Sequence, residues 1–341
     1  MRKLSGSYRR WVVVAAIALF LVVVVWWGWV PRKVPGDCGL DQNAAWISVD
    51  WTSQPVDRDA VKSLAESAAE RRLRYLFPFT TYVKADGSFS PSYTHAAEFV
   101  SQFRQLNQDT LLFAWIGVPL ANRGGLGVDG WVDLADPAAR HKIVDFCAQL
   151  VDEAGFDGVH LDVETVRNHD RQHLALLQEV KTAIGPSRIL SISGNDWKPT
   201  LLDRAPIIGE YKWSDRYWQM VADQVDQIAV MSYDSFVFHP ALYRLWMREQ
   251  IRGITRSLSG ADSELLMGLS VSRERSATHH PRVENMQSGL AGICAGLSHQ
   301  SGASHPVSGV AIYAEWEADA SDWQTWEAWL RPPPSRDEPQ P

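Results

Sequence analysis

"FDGVHLDVETV", residues 156–166, places three ionisable side chains on alternate positions of a stretch that otherwise reads as a buried apolar strand. Residues two apart in a strand point to the same face. His160, Asp162 and Glu164 therefore share one face, and Val159, Leu161 and Val163 share the other. The aliphatic face calls for a covering layer of helices. The acidic face does not belong in packed hydrocarbon, because two carboxyls about 6.6 Å apart along one strand are expensive to bury. Ionisable groups placed this way concentrate at functional sites.

On either side of this strand, runs rich in β-branched residues alternate with amphipathic segments. Strands are predicted at 45–51, 74–83, 110–118, 158–164, 188–194, 227–234, 265–272 and 309–316. Helices are predicted near 57–71, 95–107, 137–154, 168–184, 213–224, 240–257, 282–298 and 321–330. Strict alternation implies a parallel sheet covered by helices. Eight such units within residues 44–330 predict an α/β fold of the closed (β/α)8 TIM-barrel type, and no dinucleotide-type glycine fingerprint follows the first strand to favour an open sheet. Glu164 then stands at the C-terminal end of the fourth strand, where this fold builds its active sites. Asp136-Pro137 is read as the N-cap and first-turn proline of the third helix, and Asn168 as the cap of the fourth.

The flanks read differently. Residues 11–30, from Trp11 to Val30, carry no charge and are long enough to cross a ~30 Å hydrocarbon layer. Arg2, Lys3, Arg9 and Arg10 precede them, so residues 1–10 are expected to stay in the cytoplasm and the rest to lie outside it. The barrel is thus expected to follow a single transmembrane helix, with secretion the rival if the anchor is cleaved. Residues 31–43 read as a Pro/Gly linker, and 331–341, "RPPPSRDEPQP", as a disordered tail. Six of the 33 Lys and Arg fall within residues 1–36, leaving 27 against 40 acidic residues beyond, a net of −13 that argues against nucleic acid as a partner. Three cysteines without a C-x-x-C pair suggest neither a disulfide framework nor a zinc site, and Cys147 and Cys294 are expected to be buried thiols.

"FDGVHLDVE" resembles the fourth-strand signature of family 18 glycoside hydrolases, the chitinase family, whose pattern is D-G-x-D-x-D-x-E. Asp157, Gly158, Asp162 and Glu164 match, and His160 replaces the middle Asp. "AVMSYD" (229–234) is similar to the family's sixth-strand M-x-Y-D/N, and "LLMGLSVS" (265–272), more loosely, to its seventh-strand segment. The resemblance covers roughly residues 44–330 and implies a retaining glycosidase acting on β-linked N-acetylhexosamine glycans. It implies Glu164 as general acid/base and the substrate's own acetamide oxygen as nucleophile, the substrate-assisted exception to the two-carboxylate scheme. Asp162 would orient the acetamide N–H, Tyr233 would donate its hydroxyl to the same group, Asp234 would hold a nearby sugar, Met231 would line the floor, and Asp157 and His160 are expected among the substrate-binding residues. His160 is expected to hydrogen-bond Asp162 and, as a cation, to hold it ionised.

Aromatic sugar platforms are sought in Tyr313 and Trp316 of "GVAIYAEWE", Trp197 of "NDWKP", and "YKWSDRYW" (211–218), which read equally as a lid over the barrel end. "NRGGLGVDG" (122–130) lacks the lysine of a phosphate loop and reads as a flexible loop, and His279-His280 as a surface loop; no metal or cofactor is expected. The short 273–281 stretch leaves no room for an inserted cleft-walling domain, so a shallow groove is expected. Two other readings stay open: a catalytically silent carbohydrate-binding barrel, and a glycosidase with two protein carboxylates, Glu164 with Glu315 or Asp234.

Overall fold

The alternation along the fourth strand is realised as a division between two cores. A computed structural model describes residues 38–121, 130–199, 210–298 and 305–331, with the single positions 14, 18 and 36. Within it, eight parallel strands close into a barrel in chain order. The strands are β1 (Asn43–Ile47), β2 (Leu73–Tyr82), β3 (Leu111–Pro119), β4 (Gly158–Glu164), β5 (Ile189–Gly194), β6 (Gln227–Val230), β7 (Glu264–Ser270) and β8 (Gly309–Tyr313). The covering helices are α1 (Arg58–Glu70), α2 (Ala96–Leu106), α3 (Pro137–Gln149), α4 (Arg171–Ile184), α5 (Asp215–Ala222), α6 (Pro240–Ser257), α7 (Met286–Leu297) and α8 (Ala320–Leu330).

Val159, Leu161 and Val163 pack outward with the helices in the larger apolar cluster. A second, separate cluster fills the barrel interior: Trp46, Tyr75, Phe77, Phe113 and Trp115 from β1–β3, against Ala229, Leu266 and Ala311 from β6–β8. Large rings on one wall thus face the smaller side chains of Ala229, Leu266 and Ala311 on the other. β4 lies between β3 and β5, with Asp162 opposite Gly117 and His160 opposite both Trp115 and Ser191.

Gly158 is required by contact: a Cβ there would lie 2.1 Å from the Ile189 carbonyl oxygen of β5. Asp136 caps α3 through the Ala138 N–H, with Pro137 in the first turn, as expected. The fourth helix is instead capped by Asp170. Asn168 accepts from the Ser214 N–H at 3.0 Å, tying the chain after β4 to the start of α5. β6 is shorter than its pattern implied, because Ser232 N–H turns back to the Val230 carbonyl at 2.8 Å and Asp234 takes a positive φ of 57°. Met231 N–H still donates to the Gly194 carbonyl of β5 at 2.9 Å, and beyond it the chain turns out of the sheet.

Cys38 and Cys294 form a disulfide, with Cα atoms 5.7 Å apart across 256 positions of sequence, whereas Cys147 is a buried free thiol. This corrects the expectation for Cys294: α7 packs where the chain enters β1, a proximity no spacing rule reveals. The expected anchor, residues 11–30, lies outside the described residues except for Val14 and Ala18, as do most of the loop 122–130 and the tail beyond Arg331. Among the described residues no helix is long and apolar enough to cross a membrane.

Candidate active site

The ends of β4 divide the motif by task. At the N-terminal end, Asp157 accepts hydrogen bonds from the Leu112 N–H (2.9 Å) and from Arg104 Nη2 (2.6 Å). It stitches the bottom of β4 to β3 and α2, at the opposite end of the barrel from Glu164. That corrects its reading as a substrate contact.

At the C-terminal end, Asp162 and Glu164 face the mouth. Asp162 Oδ2 accepts from the Trp115 indole N–H at 3.0 Å, while Oδ1 is buried without a hydrogen-bond partner among the described residues. Burial raises the Asp162 carboxyl above its usual range, opposed by hydrogen bonds from Ser193 and Trp115. Glu164 is pushed up to about 8, first by the negative charge of Asp162, then by burial and by Asp234. Two like charges on one strand resist joint ionisation, so the Asp162 charge favours the protonated form of Glu164.

Tyr233 shares this hollow. Burial raises its phenol, and so do Tyr313, Asp162, Glu164 and Asp234. Its ring stacks on Tyr313 of β8, with centroids 5.1 Å apart and planes 16° apart. Tyr313 also meets Trp46 and Trp115 edge-on at 5.8 and 6.4 Å. Trp316 is exposed and lies nearly parallel to Trp115 at 6.4 Å. Asp234 is exposed beside them, and Met231 is half-buried. The structure thus gathers Asp162, Glu164, Tyr233, Asp234, Tyr313 and Trp316 at one mouth. Glu315 sits near Arg71 in a short 3-10 turn, whereas Asp234 is the further acid that acts on Glu164.

Trp197 is elsewhere. Its ring packs on Gly253 of α6, where a Cβ would lie 2.1 Å from Trp197 Cδ2, and its indole donates to Asp215 at 2.7 Å. Trp213, Tyr217 and Trp218 are fully buried. These aromatics pin α5 and α6 rather than face sugar, which corrects their reading as platforms. Exposed rings lie instead after β6, at Phe236 and Phe238, and at Trp131 and Tyr82.

His160 does not bind Asp162 as a cation. It is fully buried and stacked on Phe77 at 4.2 Å, and burial depresses its imidazole to about 3. A chain of hydrogen bonds assigns its proton. Trp46 Nε1, which only donates, meets His160 Nε2 at 3.1 Å, so Nε2 accepts. Nδ1 then carries the proton toward Ser191 Oγ at 2.8 Å, Ser191 donates to Gln227 Oε1 at 2.8 Å, and Gln227 donates to Glu264 at 2.7 Å. The corrected role is that of a neutral layer beneath the acids.

Asp234, His279 and Glu284 bring potential ligand atoms within 4.8 Å of one another. Glu284 is fully buried, and its carboxylate already accepts from Asp234 N–H (2.8 Å), Ser235 N–H (3.1 Å), Ser235 Oγ (2.6 Å) and His279 Nδ1 (2.9 Å). His279 Nε2 faces the Ser272 carbonyl at 3.2 Å. Both ring nitrogens thus meet acceptors. Burial opposes charge, yet Glu284 and that carbonyl raise the imidazole above its usual value. An imidazolium supplies the positive charge here, clamping the segment after β6 to the β7–α7 loop. His279 is therefore buried, not on a surface loop; the acids that partner it come from positions no local pattern connects. Trp115 and Ser193 were also missed, although parity with Phe113 and Ser191 places both inward.

A (β/α)8 barrel with an inward pair of carboxyls at the C-terminal mouth, one of them kept protonated beside a phenol, is the architecture of a glycosidase of the chitinase type. The chain belongs to Glycosyl hydrolases family 18, whose sequence profile matches residues 82–329. Similar solved structures include a class V chitinase from Pseudomonas fluorescens Pf-5, with 15% identity, TM-score 0.56, and coverage of 85% of this chain and 100% of that one. The spore cortex-lytic enzyme SleL of Bacillus cereus has 13% identity and TM-score 0.54, over 84% of this chain and 74% of that one. A chitinase from Cycas revoluta, solved as a mutant with (GlcNAc)4, has 14% identity and TM-score 0.54, over 84% and 98%. Identities this low carry the fold. No curated protein sequence matches the chain.

Proposed function

We propose that this glycosidase cleaves β-linked N-acetylhexosamine glycans, such as chitin oligomers or peptidoglycan strands, with retention of configuration and with the substrate's acetamide as nucleophile. The observation that carries the reading is the asymmetry of the acid pair. Glu164 keeps its proton up to about pH 8, and Asp162 offers a buried oxygen, Oδ1, that lacks a donor. Glu164 gives its proton to the glycosidic oxygen as that bond to the anomeric carbon breaks. The acetamide oxygen forms the new bond to the same carbon, closing an oxazolinium ring, and its N–H donates to Asp162 Oδ1. Tyr233 donates its hydroxyl to the acetamide, a role its stacking on Tyr313 supports. A water, losing its proton to the Glu164 carboxylate, then opens the ring from the leaving-group side. Asp234, Tyr313, Trp316 and the exposed Phe236 and Phe238 offer polar and apolar faces to neighbouring sugars. Among the described residues the connection between β7 and α7 holds no inserted strand or helix, which favours a shallow groove and short or branched chains.

Residues 11–30 serve in this reading as an uncleaved anchor that leaves the barrel outside the cytoplasm. The Cys38–Cys294 disulfide supports an oxidising compartment. The detergent-solubilised full chain, given chitin oligomers and peptidoglycan, is expected to release reducing ends. Glu164→Gln is expected to lower kcat by about 10²–10⁴-fold without loss of fold. A folded variant retaining full activity refutes the assignment, and binding without turnover in the unmodified chain selects a lectin.

A further inference from the structure

Two carboxyls share one face of β4, and only one of them can serve as the acid. Burial raises the proton affinity of Asp162 as well as that of Glu164, so something must keep the proton off Asp162. The titratable groups around it are Glu164 and His160 on its own strand, Tyr233 and Asp234 from the segment after β6, and Tyr313 from β8. The acids in that set oppose a negative charge on Asp162, and His160 is held neutral. What favours the Asp162 anion is a pair of donors from neighbouring strands.

The Trp115 indole N–H, at 3.0 Å from Oδ2, can only donate, and it strengthens as the carboxyl ionises. The Ser193 hydroxyl sits 3.2 Å from His160 Nε2 and, as a neighbour of Asp162, lowers the proton affinity of that carboxyl. Its single proton goes to one of them. Because Trp46 already donates to His160 Nε2 at 3.1 Å, the hydroxyl is free to turn to Asp162.

We propose that Trp115 and Ser193 are positioning residues that assign the proton of the acid pair to Glu164, and that the neutral Trp46–His160 layer beneath is what directs Ser193 to Asp162. The proposal rests on the reading of Glu164 as general acid. It makes these two side chains determinants of the pH range of turnover, although neither exchanges a proton with substrate.

The test compares pH–rate profiles of the full chain with those of Trp115→Phe, Ser193→Ala and Ser193→Thr on a GlcNAc oligomer. In Trp115→Phe and Ser193→Ala the acidic limb, set by ionisation of Asp162, is expected to move up by about one pH unit while the alkaline limb stays in place. Ser193→Thr keeps a hydroxyl and is expected to keep both limbs in place. A fall in rate by one factor at every pH, with the limbs unmoved, is the mark of a merely structural role and overturns the proposal. A ¹³C-carboxyl NMR titration of the unliganded chain reads the same quantity without turnover. Asp162 titrating at the same pH in Trp115→Phe and Ser193→Ala as in the unmodified chain also overturns it. Should the unmodified chain hydrolyse no GlcNAc substrate while these titrations move as expected, the proposed function fails and the proton assignment stands.

Discussion

Replacing Asp162 with Asn tests whether charge or burial sets the acid. The Glu164 carboxyl is raised from its usual 4.5 to about 8, with the Asp162 charge as the largest cause. Two positions along a strand separate the two residues by about 6.6 Å. At an effective dielectric of about 20 that separation gives a repulsion of about 2.5 kcal/mol, or about 1.8 pH units, roughly half of the rise. Burial and Asp234 account for the remainder. The sign follows: Glu164 is the protonated acid below its own midpoint and is lost as an acid when pH rises through it. In the unmodified chain that loss falls near pH 8; with Asp162→Asn it is expected near pH 6 by the same Coulomb estimate. The assay is the ¹³C titration of the Glu164 carboxyl in the unliganded full chain, since Asp162→Asn also replaces the anionic acceptor for the acetamide by a neutral amide and depresses turnover. A Glu164 midpoint that stays near 8 in this variant refutes the reasoning and leaves burial and Asp234 as the causes.

Three further outcomes concern the frame. Replacing both Cys38 and Cys294 by Ser removes a cross-link spanning 256 positions, for which chain entropy sets an upper value of about 5 kcal/mol and usual practice about 2–4; thermal melts with and without reductant should separate, and identical melts count against the bond. Asp157→Ala strands the Leu112 N–H and Arg104 at the barrel bottom and should cost about 1–3 kcal/mol in urea unfolding while leaving KM unchanged. A raised KM at undiminished stability would return Asp157 to the sugar. Gly253→Ala drives a Cβ into the Trp197 ring and should destabilise by about 1–3 kcal/mol, so wild-type stability there would show that Trp197 is not held as described.

How much of the site was legible in the sequence follows from the range of the signal. The inward set His160, Asp162 and Glu164 is a consequence of strand parity within seven residues, and Asp136-Pro137 marks its helix start through contacts two residues long. The resemblance of "AVMSYD" to the family's sixth-strand motif brought Tyr233 to the mouth, although the chain reaches it through a turn rather than by continuing β6. Asp157 carries the same motif but stands at the wrong end of the strand for chemistry, a distinction of height that pattern matching overlooks. Trp197 and Trp316 look alike in sequence, and only packing separates a ring pressed on Gly253 from one left open to solvent.

The linear chain by itself determined the strand–helix alternation, the closed barrel and the face on which the acids lie, because each depends on periodicities of two or 3.6 residues that neighbours enforce. The tertiary structure alone decided the Cys38–Cys294 pairing, the imidazolium clamp of His279 on Glu284, and the charge state of His160. A proton's position on an imidazole is set by which donors and acceptors surround it. For His160 those are Trp46, Ser191 and Gln227, brought from three other strands by the closure of the barrel.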